Sequence, residues 1–108
     1  MTLQEVETFT NDTVNYLISK NPDLAADQEK WVYAQTVKLG EEVGELNEAV
    51  LAHFQRQRSS KAHKEYDLEG ELADVILATF VLSHQLGVDV LPALEQKMAK
   101  IVSRRVEN

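Results

Sequence analysis

Apolar residues recur at helical spacing along most of the chain, in four stretches separated by helix-ending signals. In the first, Val6, Phe9, Val14, Leu17 and Ile18 form one roughly helical face. Thr2-Leu-Gln-Glu5 reads as a capping box, with Thr2 closing the first turn and Glu5 reaching back. A helix is expected from about Leu3 to Ser19, ended by Asn21-Pro22 because the residue before proline avoids helical dihedrals. The second stretch starts near Ala25 or Asp27 and runs to about Gln57. Its apolar stripe is Val32, Leu39, Val43, Leu46, Val50 and Phe54. Glu42 borders that stripe, Glu45 lies further round, and Glu41 and Glu48 face away. Gly40 and Gly44 share one face and each costs about 1 kcal/mol relative to alanine in a helix interior. That cost suggests the close approach of another helix or a ligand there.

Arg56 to Lys64 is polar and basic and reads as an exposed loop. Asp67 can cap a third helix ending near Leu86, with Gly87 as its left-handed terminator. From Leu72 through Leu82 this helix is apolar almost all round, so burial on most sides is expected, with Asp74 inside the apolar region. Asp89 can cap a fourth helix that carries Pro92 in its first turn. Leu91, Leu94, Met98, Ile101 and Val102 make its apolar stripe, and Lys97, Lys100, Arg104 and Arg105 make it the most basic of the four. No strand pattern or repeat is present. The expectation is an all-α fold, one domain over residues 1–108, built as a four-helix bundle. So short a chain can hardly cover its third helix alone, and a two-fold dimer or a larger homo-oligomer follows.

Composition narrows the chemistry. The 108 residues are 44% hydrophobic and 27% charged, which places the chain among ordinary globular proteins. Without cysteine there is neither a disulfide framework nor a zinc-thiolate site. A formal net charge of −7 argues against a general nucleic-acid binder, which needs a basic face. No signal-peptide pattern opens the chain and no apolar run is long enough to span a bilayer, so a cytoplasmic protein without a membrane partner is expected.

Two short acidic motifs stand out. Glu42 and Glu45 lie three apart on the second helix, and Glu71 and Asp74 three apart on the third. Residues at that spacing share a helix face. If the helices pack side by side, four carboxylates converge and repel unless a cation joins them, and oxygen-only donors suit a hard ion such as Mg²⁺ or Mn²⁺. Acidic pairs on helices are usually solvated faces. Two pairs in one small helical chain, one beside an apolar helix, make that reading less apt. His53, His63 and His84 never follow a glutamate by three residues, which argues against a di-iron carboxylate site. Trp31 and Tyr33 serve either as base-stacking aromatics or as core and interface anchors.

Glu41-Glu42-Val43-Gly44-Glu45, 25 intervening residues, then Glu71-Leu72-Ala73-Asp74 resembles the Glu-Glu-x-x-Glu…Glu-x-x-Asp signature of the MazG-like all-α nucleotide pyrophosphohydrolases. The resemblance spans about Trp31 to Arg105. It implies a helical bundle assembling as a dimer or a dimer of dimers, and Mg²⁺-dependent cleavage of nucleoside triphosphates between the α- and β-phosphates, in nucleotide-pool house-cleaning. It implies Glu42, Glu45, Glu71 and Asp74 as metal ligands, with Glu41 as the acidic residue before them. Any of Glu41, Glu42 and Glu45 can take the proton of an attacking water. Lys97, Lys100 and Arg104 are candidates for holding the outer phosphates. Lys38 is a weaker one, because it sits one turn before Glu42 and suits a simple ion pair. Ile101 stands where the family often carries an asparagine between the lysine and the arginine, so base and sugar preference do not carry over. The rival readings are a phosphoribosyl-ATP pyrophosphohydrolase or dUTPase-like relative, and a non-catalytic helical module whose acidic face docks a basic partner.

Overall fold

The computed structural model describes residues 1–54 and 67–107, and all regular structure among them is helical. The elements are α1 (Leu3–Lys20), the single turn α2 (Asp23–Ala26), α3 (Gln28–His53), α4 (Leu68–Gln85) and α5 (Val90–Glu107). Local chemistry sets their ends much as expected. The Thr2 hydroxyl accepts from the Glu5 N–H, and the Asp27 and Asp67 carboxylates accept from the N–H groups of Lys30 and Gly70. The Asp89 carboxylate accepts from the Leu91 N–H, with Pro92 in the first turn of α5. At the end of α4, Gly87 adopts a φ of 68°. The N–H groups of Gly87 and Val88 then donate to the carbonyls of His84 and Ser83, the crossed pair of bonds of a Schellman motif.

α3 and α4 pack antiparallel as the main interface, and α1 lies against α4. The α3 face turned inward is Gln35, Leu39, Glu42, Leu46 and Ala49, of which Ala49 is 1% exposed. Two glutamine side chains tie the pair together. The Gln28 Nε2 donates to the Gln85 carbonyl at 3.1 Å, and the Gln35 Nε2 to the Ala78 carbonyl at 3.2 Å. On α1, Val6 and Val14 are buried as expected and Thr10 lies between them, its hydroxyl donating to the Val6 carbonyl at 2.8 Å. Phe80 of α4 completes this small core.

Several expectations change. Phe9 of the first apolar face is 58% exposed. In the second stripe Val43, Val50 and Phe54 are exposed, because α3 turns the face containing Glu42 toward α4 instead. α4 is not buried on most sides within one chain: Leu72, Ile76 and Leu86 are exposed, and so is Asp74. The described part of α3 ends at His53 with Phe54 as its cap, so the boundary at Gln57 and the loop Arg56 to Lys64 lie outside the described residues.

α5 stands apart. The chain turns through 119° between α4 and α5, and every residue from Pro92 to Val106 is exposed. The radius of gyration is 17.4 Å, where a compact chain of this length gives about 13 Å. Among the described residues no single helix is long and apolar enough to cross a membrane.

Candidate metal centre

The antiparallel register of α3 and α4 explains how the acids meet. Gln28 sits opposite Gln85 and Gln35 opposite Ala78. Seven residues further along α3 comes Glu42, and seven back along α4 comes Glu71. Seven residues are nearly two helical turns, so Glu42 and Glu71 project from the same faces as the residues of the two glutamine clips. Glu45, three residues on from Glu42, joins them at the edge of the seam.

Ligand oxygens of Glu42, Glu45 and Glu71 all lie within 4.8 Å of one another. Glu42 and Glu71 are half-buried and Glu45 is exposed, so the group is dry on one side and open to water on the other. The Glu42 side chain is 15% exposed, and its Oε1 lies 3.6 Å from the Lys38 Nζ. Its Oε2 is buried with no hydrogen-bond partner, as is the Oε2 of Glu71. Two buried, unpartnered carboxylate oxygens beside a third carboxylate are costly unless protonated or bound to a cation. Glu71 registers this directly. Desolvation raises its pKa first, and the charges of Glu45, Asp74 and Glu42 and a hydrogen bond shared with Glu45 raise it further. Asp74 therefore acts on Glu71 electrostatically, although its own side chain is exposed and stands outside the close group of three.

The structure does not gather the remaining candidates. Glu41 is exposed on the outer side of α3. Lys38 makes the intrahelical ion pair with Glu42. Lys97, Lys100 and Arg104 ride on α5, and among the described residues none is within ion-pair distance of a carboxylate. Trp31 is half-buried beside Val14, Ile18 and Gln28, whereas Tyr33 is exposed and donates its hydroxyl to the Glu29 Oε1 at 2.8 Å. Sequence reasoning missed the clips of Gln28 and Gln35. Their signal was present as polar residues spaced seven apart, ahead of Glu42 in the same register.

The donor set is all oxygen, dry on one side, and short of positive charge, which fits a hard divalent cation. The model of the MazG nucleotide pyrophosphohydrolase domain family matches residues 34–107, which include both acidic motifs and all of α5. The chain belongs to that family. Neither the curated proteins nor the solved structures give a match to it.

Proposed function

We propose that the protein is a Mg²⁺-dependent nucleoside triphosphate pyrophosphohydrolase that converts (d)NTPs to (d)NMPs and pyrophosphate, serving to clear unwanted nucleotides and working as a homodimer or a dimer of dimers. The observation that carries this is the pair of buried, unpartnered oxygens on Glu42 and Glu71, in a chain of the MazG family. Glu42, Glu45 and Glu71 would hold the ion, with Asp74 joining them from the next turn of α4. Mn²⁺ suits the same donors. When bound, the ion supplies positive charge against the triphosphate and polarises its phosphoryl oxygens.

The chain's own residues do the rest. Glu42 is seated in the seam, with its Oε1 3.6 Å from the Lys38 Nζ. Glu45 and Glu41 are reached by water. One of them accepts the proton as water adds at the α–β anhydride and the bridging P–O bond breaks, so that pyrophosphate and the monophosphate part. Lys97, Lys100 and Arg104 balance charge on the outer phosphates.

The test is a pyrophosphate-release screen with Mg²⁺ over natural, oxidised and methylated nucleotides. Release from several dNTPs is expected, whereas strict use of dUTP or phosphoribosyl-ATP would identify a narrower relative. Glu45→Gln and Asp74→Asn are each expected to lower turnover by more than about 100-fold, the equivalent of several kcal/mol of lost charge stabilisation, with helical circular dichroism intact. Parental activity in Asp74→Asn would remove that residue from the site.

A further inference from the structure

Away from the carboxylates, the start of α3 and the end of α4 meet α1 around a second feature. A cavity of about 240 Å³ is lined by Val14 and Ile18 of α1, Gln28 and Trp31 of α3, and His84 and Gln85 of α4. The contact that clips Gln28 to Gln85 holds two of these walls together. Trp31 lies eleven residues before Glu42 on the same helix, about 16 Å along its axis. The cavity is separate from the metal centre, and no residue belongs to both.

The walls restrict what fits. Gln85 is 5% exposed, and its Oε1 is buried with no hydrogen-bond partner. The neighbouring Gln28 Nε2 donates to the Gln85 backbone carbonyl at 3.1 Å and leaves the side-chain oxygen unanswered. A buried acceptor without a donor is unfavourable, so an occupant that carries an N–H is preferred. No carboxylate, ammonium or guanidinium lines the cavity. An ion entering it would lose its hydration without meeting an opposite charge, so the occupant is neutral. Val14, Ile18 and the half-buried Trp31 offer apolar and aromatic surface, which suits a flat ring. An apolar cavity of about 150 Å³ holds benzene, so this larger one has room for two fused rings.

We propose that this cavity is a binding site for a small, neutral, flat heterocycle bearing an N–H, held against Trp31 and hydrogen-bonded to the Gln85 Oε1. The terminal torsion of a glutamine is soft, and a small turn of the amide brings its oxygen to the ring. The ligand is not the triphosphate, whose charge these walls do not answer. The site stands independently of the pyrophosphohydrolase reading.

Indole and benzofuran share one outline, and only indole carries an N–H. Each is titrated into ¹⁵N-labelled protein while the side-chain N–H signal of Trp31, the chain's single tryptophan, is followed. Indole should move that signal saturably. Benzofuran should bind about tenfold more weakly, the effect of one hydrogen bond to a buried acceptor. Gln85→Met keeps the length of the side chain and removes the acceptor, and in it the two rings should bind within about twofold of each other. Ile18→Phe should fill the cavity and abolish the response to both, with helical circular dichroism intact. Failure of indole to move the Trp31 signal, or equal binding of the two rings to the parent protein, would overturn the proposal and leave the Gln85 oxygen to an ordered water. Those two results need no variant to fold. Displacement of indole by the four dNTPs with Mg²⁺ would make the cavity part of the metal centre's own site and would equally overturn a separate one. Parent protein inert in the pyrophosphate-release screen would count against the enzymatic reading and leave the indole result standing.

Discussion

Glu71 carries the clearest physical signature at the scale of a single residue. Its folded-state pKa is raised above the ordinary 4.5, by desolvation first and then by Glu45, Asp74 and Glu42. Through that window the native state holds more protons than the unfolded chain, so the contribution to stability is present below the ordinary value and is lost as pH rises through the folded one. Metal-free protein should therefore melt at lower temperature at neutral pH than at mildly acidic pH, as far as this group decides. Glu71→Gln should flatten that dependence, raise the metal-free melting temperature at neutral pH, and abolish the further increase that Mg²⁺ gives the parent. Thermal melts with and without chelator across pH 4.5 to 8 check all three, and an unchanged profile in the variant would refute the assignment. Most of the acids were legible in the sequence, because three-residue spacing on a helix states which residues share a face. What it could not give was depth. Asp74 looked buried because its neighbours are apolar, yet the apolar surplus of α4 is left bare in one chain and Asp74 with it.

Between single residues and the whole chain, the helix ends were the most readable features. Thr2, Asp27, Asp67 and Asp89 all act as caps, since a carboxylate or hydroxyl at that position satisfies an otherwise orphaned N–H. Gly87→Ala puts a Cβ on a residue at φ 68° and is expected to cost about 1 to 2 kcal/mol, read by urea denaturation. The inward face of α3 was read less well. The apolar stripe suggested Val43 and Val50, but the face toward α4 runs through Gln35, Leu39, Glu42 and Leu46, where the Gln35 side chain finds a partner in the Ala78 carbonyl. Gln35→Leu removes one of these clips and should cost about 1 kcal/mol. Mg²⁺ affinity, measured by calorimetry, should weaken as well, because the alignment of Glu42 with Glu71 loosens. Loss of stability with unaltered Mg²⁺ affinity would show that the clip does not position the acids.

At the scale of the molecule, the excess of apolar helical surface was evident from the sequence, although its location was not. The surplus was assigned to the third helix, whereas the barest element is α5, whose departure depends on the direction the chain takes after Gly87. Hydropathy reports how much surface must be covered and is silent on where a turn sends it. Met98→Glu/Ile101→Lys should leave the α1, α3 and α4 body folded, with circular dichroism little changed, while shifting sedimentation toward the monomer. Persistence of the oligomer in this variant would mean that some other face holds the copies together.

Both glutamine clips lie on the far side of the acids from the connection between Phe54 and Asp67, so these contacts align the acids without any part played by that connection. A fluorescent reporter spliced between positions 54 and 67 should therefore leave the carboxylates of Glu42, Glu45 and Glu71 face to face.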